Sequence, residues 1–187
     1  MRRTAPALAL GLTLLLGACA VPSYSGPVPP VPPLAGYGGQ TPARNAISGA
    51  AEAFGNRGVL LGKPADAAVA VSRLEWTTLA VGADRSFFNF SAGTPAALGA
   101  ARYEVRHYLG IQTDASPLAV MNGMEAAATA LARGDRAAVA AALPPPVFSP
   151  DTLERLGTIT RLAQANLATR RAQRDIEFGR SDDRQID

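Results

Sequence analysis

The chain has 187 residues with 18 basic and 15 acidic side chains, one cysteine, one histidine and a pI near 9.5. That pI reflects a small excess of Arg with almost no Lys, too weak a field to steer a polyanion, so a nucleic-acid partner is excluded. A lone Cys19 and a lone His107 exclude an intramolecular disulfide, a Cys-based metal site and the usual multi-His metal site.

Arg2 and Arg3 form a basic head, and Ala5 to Leu16 then run largely apolar, with leucines at 8, 10, 12, 14, 15 and 16. A basic head, a short apolar run and small residues after it make the pattern of a secretory signal peptide. The run is about a dozen residues, short of the roughly 20 that a membrane-crossing helix needs. Leu16-Gly17-Ala18-Cys19 resembles the lipobox of bacterial lipoproteins: an aliphatic residue, two small ones, then cysteine. The resemblance implies that the Cys19 thiol receives a diacylglyceryl group, with cleavage before it and acylation of the new N-terminus. The alternative, a free cysteine that merely follows a signal peptide, leaves an unpaired thiol in an oxidising compartment. Acylation removes that liability, and two or more acyl chains anchor stably where one binds only marginally. By resemblance to the enterobacterial sorting rule, Ala20 in place of Asp implies the outer membrane, facing the periplasm, over the inner membrane. Thr4-Ala5-Pro6 lacks the hydrophobic pair of a twin-arginine signal, so Arg2-Arg3 reads as an ordinary head. Residues 1–18 are thus expected to be removed, leaving 169 residues with 16 basic and 15 acidic side chains.

Residues 19–40 hold the lipidated cysteine and a linker. Pro22, Pro27, Pro29, Pro30, Pro32 and Pro33 precede Gly36, Gly38 and Gly39. Proline fixes φ and favours the polyproline II conformation, rising about 3.1 Å per residue, so Ala20 to Gln40 would reach roughly 60 Å at most. It reads as a semi-rigid spacer lifting a domain off the headgroups. Its alternative, a proline-rich ligand for a partner, rests on composition alone.

From Thr41 the composition turns Ala-rich and amphipathic. A polar residue followed by Pro recurs at Thr41-Pro42, Thr94-Pro95, Ser116-Pro117 and Ser149-Pro150, with a weaker copy at Lys63-Pro64. Ser or Thr at an N-cap satisfies an unpaired backbone N–H, and Pro in the first turn loses nothing and presets φ. Apolar spacing follows each start. Ala43, Ile47, Ala50 and Phe54 lead to a stop at Gly55. Ala67, Val71, Leu74 and Val81 line a second helix, and Leu98, Ala101, Val105 and Leu109 a third. Val120, Met124, Ala127 and Leu131 line a fourth that breaks at Gly134. Asp135 caps a fifth, Arg136 to Leu143, ended by Pro144-Pro145-Pro146. Leu156, Ile159, Ala163 and Leu167 mark a single last helix running on to Phe178. Val59-Leu60-Leu61 and Phe87-Phe88-Asn89-Phe90 lack strand alternation and read as loops that plug the core. The expectation is one all-α, bundle-like domain of five to six helices over 41–178, with a disordered tail over 179–187. Leu118 to Leu143 resembles one tetratricopeptide-type hairpin, but a true repeat needs about 34 residues and at least three copies. A plain helical hairpin inside a bundle is the expectation.

No catalytic constellation emerges. His107 lies in Arg102-Tyr103-Glu104-Val105-Arg106-His107-Tyr108 without a nucleophile nearby in sequence, and bonding to Glu104 three residues before it would be commonplace. Gly58 to Pro64 is one residue short of a phosphate loop and has Pro where Ser or Thr must reach Mg²⁺. Arg133-Gly134-Asp135 reads as a helix break and cap. No cofactor is expected.

Two surfaces remain. Arg161, Arg170, Arg171 and Arg174 crowd the last helix. Arg170 and Arg174 are a like-charge i, i+4 pair, mildly destabilising unless an anion answers it. A partner carboxylate or headgroup phosphates would serve; an ordinary solvated face is the bland alternative. Trp76, Phe87, Phe88 and Phe90, with Tyr103 and Tyr108, are candidates for an apolar ligand pocket or for core filler. The expected role is a membrane-anchored, non-enzymatic accessory that binds an envelope protein. A small apolar-ligand module, or an enzyme with a dispersed site, is the alternative.

Overall fold

Proline marks four of the five expected helix starts; Ser149-Pro150 does not, because the helix there begins at Thr152 with Asp151 as its N-cap. The computed structural model describes residues 26–35 and 41–179; the signal-like segment, Cys19 and the residues from Arg180 onward lie outside the described residues. Helices α1 (Pro42–Gly55), α2 (Pro64–Ala83), α3 (Thr94–Leu109) and α4 (Pro117–Ala132) each carry Pro in the first turn. They are followed by α5 (Arg136–Ala142), α6 (Thr152–Leu156) and α7 (Ala163–Phe178). The fold is all-α.

The caps are more varied than the repeated signal implies. Thr41 accepts from the Arg44 N–H at 3.4 Å, and Asp135 from the Ala138 N–H at 3.0 Å. Ser116 makes no side-chain cap bond. Thr94 is already inside α3, and its hydroxyl is committed elsewhere.

Helix α2 is the axis. It is apolar on nearly every side, and it packs against α1, α3, α4 and α6, as a helix buried all round must. Helix α7 covers α1 and α3, while α5 pairs with α4. Fully buried alanines such as Ala46, Ala50, Ala67, Ala101, Ala165 and Ala172 let the backbones approach closely. At Gly123 of α4 the approach is too close for any side chain, for an added Cβ would lie 2.6 Å from the Phe148 ring and 2.9 Å from the Ala142 carbonyl.

The expected single last helix is two. Gly157 to Leu162 separates α6 from α7 because neighbouring backbone claims this segment's carbonyls. Gly58 N–H donates to Thr160 O at 3.1 Å, and Gly62 N–H to Gly157 O at 2.8 Å. Helix α7 is then capped from another element, since Leu162 offers no side-chain cap. Glu104 of α3 accepts from the Ala165 N–H at 2.9 Å.

Both apolar loops divide their residues. Leu60 and Phe90 are buried, whereas Leu61 and Phe88 are exposed. The only strand-like pairing among the described residues is an isolated antiparallel bridge between Ile111 and Phe148.

The proline-rich stretch is not wholly a free spacer, because residues 26–35 lie on the helical body. Trp76 Nε1 donates to Pro29 O at 3.0 Å, Arg73 donates to Leu34 O at 3.1 Å, and Leu34 N–H donates to Glu125 at 3.1 Å. Pro32 is buried, and Val28 and Val31 pack on the core. Arg73 crosses α1 at Gly49, where a Cβ would collide with its guanidinium. Burial lowers the Arg73 pKa from its ordinary value, opposed by Glu125, Glu52 and Asp66.

The bundle has two distinct ends. Asp175 near the end of α7 bonds Ser91 and Thr94 at the start of α3. Asn166 near the start of α7 donates to Phe54 O and Gly55 O at the end of α1, at 2.9 and 2.7 Å. One end therefore collects the start of α1, the end of α2, the 84–93 loop, the start of α3 and the end of α7. The other end collects the 56–63 loop, α6, the 157–162 break and the start of α7.

Candidate interaction cleft

The charged side chains that are almost fully buried, Glu75, Arg106 and Asp175, are structural, and each has charged or polar partners. Glu75 and Arg106 are 1 % and 2 % exposed and form a two-pronged ion pair between α2 and α3. Arg106 Nε meets Glu75 Oε1 at 2.7 Å, and its Nη2 meets Oε2 at 2.8 Å. Its remaining nitrogen donates to the carbonyls of Thr113 and Ala115 at 2.9 and 2.8 Å, pinning the α3–α4 connection. A guanidinium fork is shaped for this task. Arg102 lies nearby, its pKa lowered by burial. Asp175, also buried, accepts from Ser91 N–H at 3.1 Å, Ser91 Oγ at 2.8 Å and Thr94 Oγ1 at 2.5 Å. Just before α6, Asp151 accepts from Ser149 and pairs with Arg155 at 2.6 Å; the Ser149 bond, then Arg155, hold its carboxyl below the usual range. Sequence reading missed Glu75, Arg106 and Asp175 as structural charges. A carboxylate inside the apolar stretch Leu74-Glu75-Trp76 was the available signal, since a buried charge demands a partner.

The arginines expected to act together separate. Arg161 and Arg170 line a cleft of about 230 Å³ between the end of α1 and the start of α7. Arg57, from the 56–63 loop, is its third arginine; Asn56, Thr160 and Asn166 complete the polar wall, and no carboxylate lines it. Arg57, Arg161 and Arg170 are exposed, and none forms an ion pair among the described residues. Arg170 also borders an adjoining cleft of about 330 Å³ that includes Glu52 and Gln173. Arg171 is half-buried, its guanidinium 3.2 Å from where a Cβ on Gly93 would stand, and Arg174 is exposed toward the other end.

The four candidate aromatics divide as well. Trp76, Phe87 and Phe90 pack edge to face, at centroid separations of 6.3 and 5.2 Å. Phe88 is 71 % exposed. Neither arginine-lined cleft includes any of the four. Exposed His107 stacks on exposed Tyr103 at 6.1 Å, while Glu104 is spent on α7. Cys19 lies outside the described residues. Among the described residues no three His, Cys, Asp or Glu side chains gather as a metal site, and no helix is long and apolar enough to cross a membrane.

Fold and cleft together define a helical bundle with a small cation-lined recess, a shape suited to gripping carboxylates. Comparison with protein-family models, with curated proteins and with solved structures gave no match for this chain.

Proposed function

We propose that this chain is a lipid-anchored envelope protein, held through Cys19 to the periplasmic face of the outer membrane, that binds an acidic segment of another envelope protein as a non-enzymatic accessory. The observation that carries the binding half is the recess lined by Arg57, Arg161 and Arg170, three exposed arginines with no carboxylate residue in the wall. Cations left unanswered at a surface repel one another, and a carboxylate seated between them gains charge-assisted, two-pronged hydrogen bonds. The lipobox resemblance at Leu16 to Cys19 supports the anchor.

Crosslinking in intact envelopes tests the binding half. The wild type should capture a protein partner in stoichiometric yield, released by high salt, and Arg161→Glu with Arg170→Glu should lose it. An unchanged partner set in that variant rejects the reading. The anchor is tested separately by palmitate labelling and by fractionation of Cys19→Ser, which should leave the membrane.

A further inference from the structure

The docked stretch 26–35 carries a geometric consequence. Leu34 is held at Arg73 and Pro29 at Trp76, one turn further along α2. The stretch thus runs, toward its N-terminal side, to the end of α2 and the loop that follows. Phe87 of that loop meets Trp76 edge-on. Six residues separate Cys19 from Gly26, and six extended residues span about 20 Å at most. An undocked tether would permit roughly three times that reach. Docking therefore keeps one particular end of the bundle close to whatever holds Cys19.

That end carries two exposed phenylalanines, whereas the large apolar side chains exposed at the opposite end, Leu61 and Leu167, are aliphatic. Phe88 of the 84–93 loop is 71 % exposed, and Phe178, one turn beyond Asp175, is 64 % exposed. The Asp175 bonds to Ser91 and Thr94 bring their two segments together. Exposed charges there are of both signs: Arg85 and Arg174 against Asp84 and Glu177. Charge attraction to anionic lipid is thus nearly cancelled, whereas aromatic rings suit the boundary between headgroups and acyl chains.

We propose that this end rests on the bilayer, with Phe88 and Phe178 in the interfacial layer and residues 26–35 as the strap that sets the orientation. The inference rests on the Cys19 anchor proposed above, and its test avoids dependence on cellular processing. The chain from Cys19 is coupled through its thiol to a maleimide phospholipid in phosphatidylcholine vesicles containing brominated acyl chains. Phe88→Trp and Arg57→Trp are compared, each in a Trp76→Phe background and also with Trp76 retained. With Trp76 retained and its own emission subtracted, Trp at 88 should be quenched at least about threefold more than Trp at 57, and 0.5 M salt should not change this. In the Trp76→Phe background, which loses the Pro29 bond, the difference should shrink. Equal quenching at the two positions with Trp76 retained, or stronger quenching at 57, overturns the proposal. Hydrogen exchange on the unsubstituted, coupled chain guards against a folding fault in the variants. Added protection at 85–90 supports the orientation, and unchanged exchange there contradicts it. Failure of cellular lipidation would show only in palmitate labelling, so the two failures are distinguishable.

Discussion

The two ends of the bundle handle charge in opposite ways and expose different apolar side chains, phenylalanines at one and Leu61 and Leu167 at the other. At the end bearing the 84–93 loop, the carboxylate of Asp175 is buried and answered by three donors, while Phe88 and Phe178 stand out from the surface. At the end bearing the 56–63 loop, Arg57, Arg161 and Arg170 line an open cleft with no carboxylate. Buried charge here serves the fold, because an unanswered one would cost several kcal/mol. Charge left open to solvent costs the fold little and is available to something else. On the reading proposed above, the difference would separate a membrane-facing end, whose contact is apolar and insensitive to salt, from a partner-facing end, whose contact is ionic and sensitive to it.

Between the ends stands the ion pair of α2 and α3, and removing half of it should give the largest effect. Glu75→Ala should destabilise the protein by about 3–5 kcal/mol, since Arg106 is left charged and buried. Urea denaturation followed by circular dichroism reads this directly, and a loss below about 1 kcal/mol would show that water reaches the site. Next comes Asp175→Ala, which strips the charged acceptor from Ser91 and Thr94. The loss should be about 2–3 kcal/mol, with faster amide exchange concentrated at 88–94 and the arginine end unmoved. Uniform exchange would break the contrast between the ends.

A smaller effect is expected from Trp76→Phe, which keeps the apolar body but deletes the donor to Pro29. Global stability should fall by about 1 kcal/mol, yet residues 26–35 should become accessible to protease. Smallest is Arg161→Glu with Arg170→Glu, expected within about 0.5 kcal/mol of wild type because both side chains are exposed and in no ion pair among the described residues. Its binding defect should nevertheless be tenfold or more. A stability loss comparable to that of Asp175→Ala would mean that the cleft arginines are structural after all.

Acid sharpens the same point. The Asp151 carboxyl lies below its ordinary range, chiefly through Ser149. Its contribution is therefore present above the usual carboxylate pKa and lost as pH falls through the lower folded value. Asp151→Asn should lack that part of the acid-induced loss, as seen in thermal melts between pH 5 and pH 2.

Local signals were legible in the sequence, and long-range ones were not. Pro42, Pro64, Pro95 and Pro117 announced four helices because a first-turn proline acts on its own backbone. Asp135 was readable as a cap for the same reason. The break at 157–162 was hidden, since Leu156, Ile159 and Ala163 keep a helical rhythm while the competition for carbonyls comes from Gly58 and Gly62, about a hundred residues away. Thr94 looked like a cap and is instead a donor to Asp175, 81 residues on. The cleft was half legible: Arg161 and Arg170 stood out by crowding, but Arg57 joins them only through the fold. The docked stretch was legible only as composition, because its holders, Arg73, Trp76 and Glu125, are spread over α2 and α4.

The roles proposed for the two ends can be tested in one experiment: hydrogen exchange of the chain from Cys19, compared free in solution, coupled to phosphatidylcholine vesicles, and with a soluble acidic peptide added. Coupling should slow exchange at 85–90 and 176–179 and leave 56–62 and 157–161 unchanged, while the peptide should do the reverse. Protection of the same end by both, or of neither end by either, would contradict the account.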